Sequence, residues 1–221
     1  MPRTARAAEG GLTYHVLNRG NDRKRIFRKK GDYAAFVKLL VEGCKRADIA
    51  VFAYCLMPNH WHLVLRPAGD HDLAQFIGWV SNTHVKRYHQ HYQTTGGGHL
   101  YQGRYKSFPV EQDEHLLAVL RYVEANPLRA KLVDRAQDWP WCSLGSSASD
   151  EAQGLLEPWP LDRPPDWLQM VNQTATDAEL ESLRTCVNRG RPYGSQPWVT
   201  QTAGSLGLSF SLRSRGRPKK S

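Results

Sequence analysis

The stretch IAVFAYCLMPNHWHLVLR, residues 49–66, decides the fold of this 221-residue chain. Its first nine residues are an apolar run of strand length, rich in β-branched and aromatic side chains, and read as a buried strand. Pro58-Asn59 is a turn signal, and 60–66 (HWHLVLR) reads as the returning strand of a hairpin. Working outward, 12–18 (LTYHVLN), opened by Gly10-Gly11, has strand composition. Asp32 supplies N-cap chemistry for a helix whose stripe of Phe36, Leu39, Leu40 and Val41 runs to about Ala47.

Asp72 opens a longer helix carrying Leu73, Phe76, Ile77, Val80 and Val85, ending near Tyr92. Beyond the Gly96-Gly97-Gly98 loop, 104–110 reads as a fourth strand and 113–126 as a third helix, stopped by Pro127. The order β-α-β-β-α-β-α predicts an α+β architecture: a ferredoxin-like, split β-α-β antiparallel sheet with helices on one face. After about residue 143 the texture changes to frequent Pro, Ser, Gly and Trp. We expect a folded domain over 1–143 and an irregular C-terminal extension over 144–221, with one short helix at 177–187 and a basic tail.

Charge narrows the function. The chain carries a net +9, yet 1–30 alone holds nine Lys/Arg against two acids, and 211–221 holds five against none. The intervening residues are therefore slightly acidic, with one exception: 84–106 has no Asp or Glu but has Lys86, Arg87, Arg104 and Lys106 among tyrosines and histidines. Basic groups attract phosphates and aromatic faces accept unstacked bases, so a polyanion fits better than a small-molecule substrate. A solvated helix face followed by a loop is the plainer reading of that stretch. The longest apolar run is far too short for a membrane span, and the N-terminal sequence lacks a secretory apolar region. Four scattered cysteines fit reduced, packed thiols. Cytoplasmic residence is the expectation.

Two motifs carry chemistry. In His60-Trp61-His62, strand alternation sends both imidazoles to one face and the indole to the other. Adjacent imidazoles can hold a divalent metal with coordination positions left open; paired half-exposed strand histidines are the alternative. On the third helix, with Leu116, Leu120 and Val123 buried, Tyr122 and Asn126 share a flank one turn apart, together with His115. Taken alone, that pair is an ordinary helix end.

Together these motifs resemble the REP-associated tyrosine transposases, a branch of the HUH single-strand nucleases (U being a hydrophobic residue). The matching stretches are YHVLNRG at 14–20, MPNHWHLVL at 57–65, YQGRYKSFPV at 101–110, RYVEANPLRA at 121–130, GRPYGSQPWV at 190–199 and RGRPKK at 215–220. Trp61 departs slightly from the pattern, since an aliphatic residue is commoner there. The resemblance implies that Tyr122 is the nucleophile and that His60, His62 and Asn126 are metal ligands. It implies Mg2+ or Mn2+ as cofactor, single-stranded, REP-like DNA hairpins as partner, and nucleoid-associated residence in a bacterium. On that reading Tyr122 forms a 5′-phosphotyrosine intermediate, making the chain a metal-dependent single-strand DNA endonuclease and strand-transferase. Arg19, Arg23, Lys24, Arg25, Lys86, Arg87, Arg104 and Lys106 are then the candidate DNA contacts. Arg215 and Arg217 join them, in a stretch resembling the core of an AT-hook. His15 is expected to reach the site or simply to pack, and the chain to act as a monomer. A catalytically inactive, sequence-specific DNA-binding regulator is the alternative; the intact set of His60, His62, Tyr122 and Asn126 argues against it.

Overall fold

The computed structural model describes residues 8–145, 152, 154–173 and 175–213. Four strands form one sheet: β1 (Thr13–Arg19), β2 (Ile49–Met57), β3 (His60–Pro67) and β4 (Lys106–Val110). Their order is β2-β3-β1-β4 and every pairing is antiparallel, as the split β-α-β pattern requires. Helix α1 (Lys30–Cys44) links β1 to β2, and α2 (Asp72–His91) links β3 to β4. Asp32 is not the N-cap of α1. It sits one turn inside, where its carboxylate accepts the backbone N–H groups of Arg28 and Lys29 at 2.7 and 3.1 Å, so the N-cap is Lys29, three residues earlier.

The helices cover both faces of the sheet rather than one. Tyr14, Val16, Leu56, Trp61, Leu63 and Leu65 face α1 and α2, which approach closely at Gly43; a Cβ there would stand 2.7 Å from the Phe76 ring. The opposite face, carrying Cys55, Met57, Val64, Phe108 and Val110, is covered by α3 (Glu114–Glu124). Both layers are possible because β2 is buried along almost its whole length. A β-bulge at Phe52, between the pairs Val51–Leu65 and Ala53–Val64, puts Phe52 and Ala53 on the same face. Beyond it, Cys55 and Met57 point to the α3 side.

The chain turns at Pro127 through the short α4 (Asn126–Arg129) into the C-terminal stretch. Where one helix is expected, the described residues hold three α-helices: α5 (Trp167–Asn172), α6 (Asp177–Arg189) and α7 (Gln196–Ser205). α5 is too short to show periodicity; only Trp167 and Val171 are buried. This stretch is built into the domain. The Trp167 indole and the Ser143 hydroxyl donate to the two oxygens of the buried Glu124 carboxyl, at 2.8 and 2.7 Å; burial raises that group's pKa. Tyr193 exchanges backbone hydrogen bonds with Pro109 and Glu111 along the free edge of β4. Ser143 and Glu157 bond to β2 carbonyls, so segments after α4 cover both sheet edges. Among the described residues, no helix is long and apolar enough to cross a membrane.

Candidate active site

Strand alternation makes the first half of the site. Trp61 is wholly buried toward α1 and α2, its indole N–H donating to the Tyr101 hydroxyl at 3.0 Å, while His60 and His62 face α3. The two imidazole centroids lie 5.0 Å apart. Nδ1 of His60 is 2.6 Å from Oδ1 of Asn59, and Nδ1 of His62 is 2.9 Å from Nε2 of His15. His15 comes from the neighbouring β1, where it is paired with Val64, and stacks on His62 with its ring 6° from parallel. It therefore belongs to the site's support. Burial, reinforced by the charges of Arg19 and Arg129, lowers the His60 pKa to about 4. Burial likewise holds His62 well below its ordinary value and His15 at about 3. All three imidazoles are neutral at pH 7.

Helix α3 makes the second half. Asp113 caps it, accepting the His115 N–H at 2.9 Å, and Leu116, Val119, Leu120 and Val123 anchor it to the sheet. That rotation leaves Tyr122 partly exposed, its ring centroid 6.0 Å from those of His62 and His15. Asn126 donates to the Tyr122 carbonyl at 3.1 Å. Arg129, one turn further on, donates to the same carbonyl at 3.0 Å and to Oδ1 of Asn126 at 2.8 Å, and lies 4.2 Å from the Tyr122 ring centroid. Arg129 falls within the stretch 121–130, but the sequence alone assigns it no role. Its spacing of three from Asn126 was the available signal.

His60, His62, Tyr122, Asn126 and Arg129 line one cleft of about 920 Å3 whose far wall is α6, with Leu183, Arg184 and Asn188. A smaller adjoining hollow holds Arg19, Arg104 and Lys106. Lys106 donates to Asn188 at 3.2 Å. Arg23, Lys24 and Arg25 are exposed on the loop after β1, which is pinned to the hairpin turn by hydrogen bonds to Pro58 and Asn59. Lys86 and Arg87 do not line the cleft. They ride on α2 behind the opposite face, where Arg87 pairs with Glu42 at 3.0 Å. His84, Tyr88 and Tyr101 are core residues, which removes them as platforms for unstacked bases. Arg215 and Arg217 lie outside the described residues.

A second group with metal-binding geometry is Glu111, Asp113 and His115, whose candidate ligand atoms lie within 4.8 Å of one another. Its bonds are already structural: Glu111 accepts the backbone N–H of Ser195 at 2.6 Å, and Asp113 Oδ1 accepts the backbone N–H of His115 and lies 2.8 Å from its Nδ1. His115 packs against Tyr193 and is absent from the cleft lining.

The cleft donors suit a divalent ion. His60 and His62 are neutral, and each has Nδ1 engaged, leaving Nε2 without a protein partner among the described residues. The Asn126 amide oxygen is neutral and retains a lone pair beside its bond to Arg129.

Comparison with known proteins agrees with this architecture. A Haemophilus influenzae protein that carries the name of a REP-associated tyrosine transposase is 24% identical over 112 residues, covering 46% of this chain. The chain spans only 62% of that relative's length. A solved REP-associated tyrosine transposase bound to a REP hairpin has the same fold, with a TM-score of 0.54 at 19% identity, over 74% of this chain and 93% of that one. The family described as "Transposase IS200 like" matches residues 9–126, a span that opens before β1 and closes on Asn126. It takes in both imidazoles, the phenol, the amide and more than half of the sequence, and on that match this chain belongs to the IS200-like transposase family.

Proposed function

We propose that the chain is a metal-dependent single-strand DNA endonuclease and strand-transferase, acting on REP-type hairpins through Tyr122. The observation that carries this reading is the approach of the partly exposed Tyr122 ring to within 6.0 Å of the buried His62, in a cleft of about 920 Å3 that both residues line.

In the proposed step the Tyr122 oxygen gives up its proton and forms a bond to phosphorus. The bond from phosphorus to the 3′-oxygen breaks, and that oxygen takes up a proton. A 5′-phosphotyrosyl link and a free 3′-hydroxyl result, and attack by a second DNA hydroxyl reverses the linkage and joins strands. A divalent ion, Mg2+ or Mn2+, held by His60, His62 and Asn126 would polarise a non-bridging oxygen and offset the charge that develops on it. His15 holds His62 in place. Asn126 and Arg129 fix the Tyr122 carbonyl and so the position of the helix turn that carries the phenol. Arg19, Arg104 and Lys106 grip phosphates beside the reacting one, and Arg23, Lys24 and Arg25 meet the hairpin stem. Coverage of both sheet edges supports a monomer.

The test is a denaturing gel of the full chain mixed with a labelled hairpin carrying a single-stranded flank. A covalent adduct should form with Mg2+, vanish with chelator and be absent in Tyr122→Phe, while hairpin binding survives. An adduct persisting in that variant would contradict the assignment.

A further inference from the structure

Two arginines near Tyr122 are treated very differently by the fold. Arg121 is tied down: it donates to the carbonyls of Met170 and Gln173 at 2.9 and 3.3 Å and has Glu179 at 3.6 Å. Arg129 has no carboxylate within ion-pair distance among the described residues, although it is half-buried and lines the catalytic cleft. A guanidinium taken out of water without a counter-charge is costly. Its surroundings add to that cost. Its printed partners, the Tyr122 carbonyl and the Asn126 amide, carry no charge, Arg19 lines the same cleft, and Nε of Arg19 is itself buried without a partner among the described residues. Among the described residues Lys106 lacks a carboxylate as well and bonds to the Asn188 amide alone.

Arg129 also keeps donors in reserve. Its bonds to the Tyr122 carbonyl and to Asn126 use two of the five N–H groups of a guanidinium, and its plane lies near the Tyr122 ring. A purely structural end-cap needs the two bonds but not a charge held facing the cleft. A single phosphate oxygen would supply the missing anion, and guanidinium is the side chain best matched to phosphate.

We propose that Arg129 is a phosphate-binding residue of this site, placed so that the charged non-bridging oxygen of the DNA phosphate presented to Tyr122 completes its ion pair. This rests on the cleft being a single-stranded DNA site, but not on turnover. The bonds to Asn126 and the Tyr122 carbonyl orient the guanidinium before DNA arrives, so little ordering remains on binding.

Methylphosphonate scanning tests it. From a panel of DNA hairpins with single-stranded flanks, the one bound most tightly is resynthesised with one neutral methylphosphonate at each flank position in turn. Affinity is measured for the unreactive Tyr122→Phe chain, which keeps the aromatic ring under Arg129, and for Tyr122→Phe combined with Arg129→Gln or Arg129→Lys. Neutralising one particular phosphate should weaken binding to Tyr122→Phe by roughly tenfold to a hundredfold. That position's penalty should disappear with Arg129→Gln and be largely kept with Arg129→Lys. The same penalty at every position in all three chains would overturn the proposal and make Arg129 a structural cap. Because binding is read without reaction, a wild-type chain that forms no adduct would sink the nuclease reading while leaving this coupling measurable.

Discussion

The two faces of the sheet use the same residue types for opposite ends. Toward α1 and α2, His84, Tyr101 and Trp61 form a closed set: the Tyr101 hydroxyl lies 2.6 Å from Nδ1 of His84 and accepts the Trp61 N–H. All three are buried. Toward α3, His15, His60, His62 and Tyr122 form an open set. The phenol is partly exposed, Nδ1 of His15 has no partner among the described residues, and unpaired cations stand nearby. The contrast teaches that a histidine beside a tyrosine is not a site by itself. Satisfied polar groups make a core, whereas polar groups left short of partners at the wall of a cleft await a ligand.

The largest expected effect separates the tyrosines. Tyr122→Phe should cut the rate of adduct formation on the order of a thousandfold or more, measured on a denaturing gel. Tyr101→Phe should leave adduct formation standing and cost about 1–3 kcal/mol of stability in urea titration, because the Trp61 N–H loses its acceptor. The reverse pattern would exchange the roles of the two faces. Next come the imidazoles. His62→Ala should lower the adduct rate by roughly a hundredfold and weaken Mn2+ binding in calorimetry, whereas Glu111→Gln should leave both unchanged. Loss of Mn2+ binding in Glu111→Gln would move the metal to the other cluster.

Between the two histidines, Trp61 gives the structural counterpart. Trp61→Ala should cost about 3–5 kcal/mol in chemical denaturation, by opening a cavity in the α1–α2 core. A loss under about 1 kcal/mol would mean that this face is loosely packed. The smallest effect is on pH. Burial lowers the His84 pKa to about 3. The unfolded chain takes up that proton near pH 6.5 and the folded chain does not, so this contribution is present above pH 6.5 and is lost as pH falls toward 3. Melting temperature followed between pH 7 and 4 should fall less steeply in His84→Gln than in the parent chain. Parallel curves would show that the fold does not hold His84 neutral.

Much of this was legible along the chain because strong patterns are local. The run at 49–57, the turn at Pro58-Asn59 and the alternation of His60, Trp61 and His62 all carry their reading in adjacent residues, and β2 and β3 begin where that reading places them. Helix α2 starts at Asp72 for the same reason. Features set by distant partners were not legible. The bulge at Phe52 shows only in its pairing with β3. The face that α3 takes depends on which side of the sheet α1 and α2 have already filled. The stretch 84–106 looked like an aromatic, basic surface, yet His84, Tyr88 and Tyr101 turn inward because Trp61 and Phe36 wait beneath them. The spacing of Arg129 from Asn126 is local, but its missing counter-charge exists only in three dimensions.

The most direct test of the central claim is a crystal structure of Tyr122→Phe with Mn2+ and a single-stranded oligonucleotide, with the ion located by its anomalous signal. The account predicts a manganese peak in the cleft beside His60 and His62, with a DNA phosphate between it and the ring of residue 122. A peak at Glu111, Asp113 and His115 with none in the cleft, or a phosphate backbone that passes on the α1–α2 side of the sheet, would contradict it.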